Sequence, residues 1–260
     1  MTSLTWLGQA GFLVETGGLR ILIDPFLSQH EARLFPPPQA EPYAVGIDWL
    51  LVTHEHLDHL DVDFLPMLAT HSPDLTVVLP TPIVEQATCL HAGLRTVGVQ
   101  PGDVLPLSPA FALHVLPAWH GAEMADAYSQ GRGSDGNVRF VGYLVQGPGI
   151  GLYHSGDTLV TDELRAALAG HAIDVALLPV NGRDYYREAM GLIGNMDARE
   201  AVHLAQEIGV RVLVPMHWDL FRGNTVRPGD AVDAAAGDSG VHVLVPSRFA
   251  EMPLPVFGPR

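Results

Sequence analysis

Apolar positions along the chain come first in short alternating runs, Leu4 to Leu7, Phe12 to Thr16 and Leu19 to Asp24, with Gly17-Gly18 between the last two. Runs of this length punctuated by glycine predict a β meander. Further strands are expected over Asp48 to Thr53, Thr76 to Leu79 and Phe111 to Leu116, and a helix over Val62 to Ala69. In the second half, strands predicted at Phe140 to Gln146 and Gly151 to His154 flank the turn Gly147-Pro148-Gly149. A buried strand is expected at Ile173 to Pro179, and helices at Thr161 to Ala169 and Asp197 to Ile208. Asp197 with Glu200 three residues on is a capping signal. Ala198, Ala201, Ala205 and Ile208 recur at helical spacing on one face, and Gly209 ends the helix. The halves suggest a duplicated layering without a visible sequence repeat.

Two segments lack periodicity. Pro36, Pro37 and Pro38 stiffen an exposed loop at a rim or subunit contact, and residues 121–137, rich in Gly, Ser, Asp and Ala, form a loop expected to fold over a pocket with Arg132, Asp135 and Asn137 as contacts.

A chain of 260 residues at 47% hydrophobic content suits one domain spanning 1–260. No apolar run approaches the roughly 18 residues of a membrane span, and the N-terminus lacks the pattern of a signal peptide, so a cytoplasmic protein without membrane contact is expected. Cys89 is the sole cysteine, read as a small core residue, which rules out an intrachain disulfide. The formal charge of -15 repels polyanions and weighs against a nucleic-acid partner. All 14 basic residues are Arg, so an anionic ligand must be met by guanidinium, His or metal.

The chemistry centres on T-H-E-H-L-D-H-L-D, Thr53 to Asp61, directly after the apolar run Ile47 to Val52. His54, His56, Asp58 and His59 fall within six residues. A His-rich turn is ordinarily a solvated loop, but four donors packed this closely behind a buried strand point to divalent metal, since imidazole and carboxylate supply its nitrogen and oxygen ligands. The sphere needs distant partners at other strand ends. His120, Asp157 and His217 each follow an apolar stretch, giving His54, His56 and His120 for one cation, Asp58, His59 and His217 for a second, and Asp157 as a bridge. Asp24, after Leu19 to Ile23, and Asp219, two residues beyond His217, are expected either to hydrogen-bond a ligand histidine or to cap a turn. The remaining histidines, among them His154, are assigned no role.

The H-x-H-x-D-H segment with the later His, Gly-Asp and His positions resembles the metallo-β-lactamase superfamily, from W-L-G-Q-A-G-F at Trp6 to P-M-H-W-D-L-F ending at Phe221. N-G-R-D from Asn181, Arg187, G-N-M from Gly194, D-A-R-E-A from Asp197 and Asn224 resemble its L-ascorbate-6-phosphate lactonase branch. The resemblance implies an α/β four-layer αββα sandwich, two divalent ions with manganese favoured by the branch and zinc compatible with the ligands, and a homo-oligomer. Asn181, Arg183, Arg187 and Arg222, in the branch-diagnostic segments, are the candidates to bind a small anionic substrate; each Arg alternatively pairs with surface carboxylates. Many relatives carry His where this chain has Gln9, and Tyr is common at Trp218.

Two cations bridged by Asp157 would yield a hydroxide near neutral pH, with Asp58 orienting its attack as the catalytic carboxylate. The expected activity is hydrolysis of a small anionic ester or lactone, such as a sugar-phosphate lactone. A phosphodiesterase of the same fold would call for a basic channel. A metal-binding or iron redox protein without hydrolytic activity is the remaining alternative.

Overall fold

The structure is a computed structural model describing residues 2–85, 93–133, 135–237 and 240–258. Cys89 lies outside the described residues.

The expected meander forms β1 (Thr2–Gly8), β2 (Gly11–Thr16) and β3 (Leu19–Ile23), paired antiparallel. From β3 the sheet continues in parallel through β4 (Trp49–Leu51), β5 (Thr76–Pro80) and β6 (Arg95–Val99), while β14 (Glu251–Leu254) closes the other edge on β1. The second sheet follows the same plan. An antiparallel run β7 (Val104–Pro106), β8 (Ala112–Pro117), β9 (Val141–Gly147), β10 (Ile150–His154) passes into parallel β11 (Val175–Pro179), β12 (Val212–Met216) and β13 (His242–Val243). The duplicated layering foreseen in the sequence is thus a duplicated strand order.

Alternation along each strand builds three apolar layers. Leu4, Trp6, Phe12, Ile21, Ile23 and Leu51 of the first sheet face Val115, Tyr143, Val145, Leu177 and Val214 of the second. The other face of the first sheet, including Leu22, Leu50 and Val77, packs on Leu65 and Leu68 of helix α1 (Leu65–His71). The outer face of the second, including Leu144, Ala176 and Leu213, covers α2 (Asp162–Leu168), α4 (Ala198–Glu207) and α5 (Gly229–Ala234), with α3 (Tyr185–Ala189) in the loop before α4. Helix, sheet, sheet, helix is the expected αββα sandwich. β11 has helices on one face and a sheet on the other, which is why its five residues are all buried and read as one apolar run.

Helix α4 starts after Asp197, whose carboxylate accepts from the N–H groups of Arg199 and Glu200, while Glu200 reaches back to the Asp197 N–H. Helix α1 begins at Leu65, three residues later than the apolar pattern suggested. The Asp61 carboxylate accepts from the N–H of Phe64 at 3.2 Å and from those of Leu27 and Ser28 at 2.8 Å, which fixes residues 61–64 as a turn before the chain can coil. Among the described residues no helix is long and apolar enough to cross a membrane.

Candidate metal centre

Parallel strands in each sheet deliver their carboxyl ends to one edge of the sandwich, where ligand sites of open α/β sheets arise. The chain leaves β3 at Asp24 in a left-handed conformation, φ 44°. Its buried carboxylate accepts from Thr53 N–H at 2.8 Å and from the Thr53 hydroxyl at 2.6 Å, tying β3 to the segment after β4. His59 and Leu60 N–H both donate to the His56 carbonyl, closing one helical turn that fans His54, His56, Asp58 and His59 into a common space. Asp157 arrives from β10 through Gly156, φ 60°, where an added Cβ would lie 2.8 Å from Thr53 Cβ and 2.9 Å from the Val141 carbonyl oxygen. Only glycine lets this turn dock against Thr53. His217 follows β12 with φ 63°, its N–H bonded to the Gln9 carbonyl at 2.9 Å.

All seven residues that the sequence singled out converge. Donor atoms of His54, His56 and His120 lie within 4.8 Å of one another, as do those of Asp58, His59 and His217, and a third set joins His54, His59 and Asp157. Asp157 spans the first two: Oδ2 lies 3.4 Å from His120 Nε2 and 3.2 Å from His217 Nε2, and Oδ1 lies 3.5 Å from His59 Nε2. Phe140 forms the apolar wall behind His54, His56 and His120, its ring centroid 5.2 to 5.9 Å from theirs.

The electrostatics divide the histidines. Burial keeps His54 and His120 uncharged, His54 well below the ordinary imidazole range and His120 at about 4. Burial also opposes charge on His59 and His217, but carboxylates overrule it: Asp157, Asp24 and Asp58 raise His59 well above its usual range, and Asp157 with Asp58 lifts His217 to about 9. In return, and against their own burial, Asp58 and Asp157 are held well below the carboxylate range. His59 Nε2 and Asp157 Oδ1 are buried without a hydrogen bond. Buried polar atoms are seldom left so; these two facing atoms, among five further N and O donors, fit divalent cations once the proton of Nε2 is displaced.

Asp24 Oδ2 also lies 2.7 Å from His59 Nδ1, which places the proton there and turns Nε2 toward the cluster. Asp219 takes neither of its two expected roles directly. No bond to a cluster histidine is formed: its Oδ1 accepts from Gln9 N–H at 2.9 Å and its Oδ2 pairs with Arg248 at 2.6 Å, because the left-handed turn at His217 carries Asp219 beneath residues 8–10. Arg248 stacks over Phe35 at 3.6 Å, beside the Trp6 and Trp218 rings, which themselves stack at 4.7 Å.

The expected substrate residues are more occupied than their sequence suggests. Asn181 is buried, donating to Asn224 Oδ1 at 2.9 Å and accepting from Asn195 Nδ2 at 3.1 Å, so it braces three loops. Arg183 pairs with Glu200, and Arg187 with Asp184. Asn181, Arg183 and Arg187 line a cavity of about 550 Å³ that none of the seven converging residues lines. Arg222 is exposed, on the loop after His217. The 121–137 loop is pinned at both ends, His120 N–H to the Ser129 carbonyl and Arg139 N–H to that of Gln130, with Arg139 also paired to Glu55. Arg132, Asp135 and Asn137 bond within the loop rather than toward the cluster.

Sequence reasoning passed over Thr53, Phe140 and above all Gln9, whose Nε2 donates to Asp58 Oδ2 at 2.8 Å. The sequence signals for Gln9 were its place between Gly8 and Gly11, the marks of a tight turn, and the His that many relatives carry there.

Residues 19–218 match the family model of the beta-lactamase superfamily domain. UPF0173 metal-dependent hydrolases from Archaeoglobus fulgidus and Opitutus terrae are each 32% identical, over 95% and 96% of this chain and 98% and 99% of theirs. The metallo hydrolase Igni18 of Ignicoccus hospitalis shares the fold with a TM-score of 0.75 at 23% identity, over 98% of this chain and 99% of its own.

Proposed function

Because the chain belongs to the metallo-β-lactamase superfamily and, within it, to the UPF0173 metal-dependent hydrolases, we propose that it hydrolyses a small anionic ester or lactone at a two-cation centre held by His54, His56, Asp58, His59, His120, Asp157 and His217. The observation that carries this is Asp157, whose carboxylate faces His120, His59 and His217 together. Divalent cations held there would lower the pKa of water and polarise the bond under attack.

The protein's own groups do the rest. Buried and neutral, His54 and His120 keep their lone pairs available. Asp58 stays ionised and is the more solvent-exposed of the two cluster carboxylates, 16% against 4%, which suits it to accept a hydrogen bond from the attacking water and orient it. Phe140, whose ring lies against those of His54, His56 and His120, excludes bulk solvent behind the donors. Of the three candidate arginines, Arg222 pairs with no carboxylate among the described residues, while Arg183 and Arg187 would have to exchange one for an anionic substituent. A sugar-phosphate lactone, in keeping with the lactonase-like segments, is the substrate to try first.

Protein loaded with Mn or Zn, assayed in parallel on lactones and phosphodiesters, is expected to turn over lactones preferentially. Preferential phosphodiester cleavage would replace the lactone reading with the phosphodiesterase one, and stoichiometric metal without turnover on any ester would leave a binding protein.

Protons give a second check. His217, at about 9, carries one at neutral pH that a cation must displace, and His59 is raised in the same sense. Cation binding is therefore expected to release protons, and apparent affinity to climb from neutral pH to about pH 9. Calorimetry in buffers of different ionisation heat reads this directly. Affinity flat across that window contradicts it.

A further inference from the structure

The turn between β1 and β2 inserts one polar side chain into the centre. Gln9 is fully buried and left-handed, φ 52°, an uncommon conformation for a residue with a Cβ. Its backbone is satisfied without its side chain: N–H donates to Asp219 Oδ1 at 2.9 Å, and the carbonyl accepts from the Trp6 indole at 3.1 Å and from His217 N–H at 2.9 Å. Neither the turn nor its anchor on β12 needs a carboxamide. Burying one is unfavourable unless it finds partners. Its Nε2 finds Asp58 Oδ2 at 2.8 Å and lies 3.1 Å from His217 Nε2, in the triplet of Asp58, His59 and His217. Strained backbone and a buried polar group coincide at a site more often through function than through folding needs.

We propose that Gln9 is a positioning residue of this centre: its carboxamide N–H holds the Asp58 carboxylate in the orientation that faces His59 and His217, and so sets the cation affinity of that triplet and the aim of Asp58. This rests on the metal-centre reading above. The turn is itself located by the Asp219–Arg248 pair, so the contact runs from Arg248 through Asp219 and the Gln9 backbone to Asp58.

Gln9→Met preserves length and burial while deleting the donor; Gln9→Asn keeps the amide but withdraws it by one methylene. In both, cation binding is measured by chelator competition with Mn²⁺, the Co²⁺-substituted protein by its visible absorption, and turnover as kcat against KM. Expected are an unfolding midpoint near that of the parent in metal-free protein, one of two Mn²⁺ equivalents bound about 10- to 100-fold more weakly, an altered Co²⁺ spectrum, and a fall in kcat with KM little changed. A merely structural glutamine would move the midpoint and leave the spectrum alone. Parent-like Mn²⁺ affinity and Co²⁺ spectrum in both variants overturn the role of Gln9 while leaving the centre standing. A parent protein that binds no divalent cation overturns both together.

Discussion

Asp157→Ala is expected to lower kcat/KM by about 10³-fold, the equivalent of about 4 kcal/mol of charge stabilisation lost from the reacting centre. The reason is positional. Asp157 is the carboxylate within 3.5 Å of His59, His120 and His217 at once, so its loss separates the two donor groups rather than trimming one of them. Metal content, measured by elemental analysis after removal of free ions, should fall by at least one equivalent per chain relative to the parent. The fold should survive, since Asp157 makes no backbone hydrogen bond in the strand ladders and the apolar layers do not include it. Parent-like metal content and turnover in a folded variant would remove the bridging role.

Asp24→Ala is expected to act on stability as well as on the centre. Asp24 is buried, and it receives Thr53 N–H, the Thr53 hydroxyl and His59 Nδ1. Removing it leaves those donors buried without their acceptor, which costs about 3–5 kcal/mol when one partner of a buried ionic contact is deleted. Alanine must also accept φ 44°. Denaturant titration should show the midpoint falling with little change in slope, and cation affinity should drop about 10- to 100-fold through the freed His59 ring. A midpoint unchanged within error would mean that water replaces the carboxylate, and that Asp24 neither ties the strands nor fixes the tautomer of His59.

The parts of this molecule legible in the sequence were those in which local chemistry and tertiary placement agree. His54, His56, Asp58 and His59 announce themselves because one helical turn brings all four together, and the parallel strands β4, β5 and β11 because two-sided burial writes an unbroken apolar run. His120, Asp157 and His217 were legible through their positions behind such runs. The edge strands β6, β7 and β13 carry mixed polarity because one side of each has no neighbouring strand, so no period stands out. Helix α3 opens on Tyr185, 87% exposed, and has no apolar face to detect. Gln9 and the true partners of Asp219 were hidden for a different reason: each depends on a left-handed turn bringing residues 9 and 217 together across more than 200 positions, which no local pattern records. For Asn181, Arg183 and Arg187 the residue type suits an anion, but neighbouring amides and carboxylates already engage each of them, the alternative that the sequence left open for the arginines.

Four of the converging side chains hang from the first sheet and three from the second. The constellation therefore does not exist until the two sheets have closed on each other. Interactions missing from the transition state act on the escape rate rather than the arrival rate. A cation seated between the sheets would work as a rivet driven after assembly, lengthening the lifetime of the native state against opening without hastening the chain toward it.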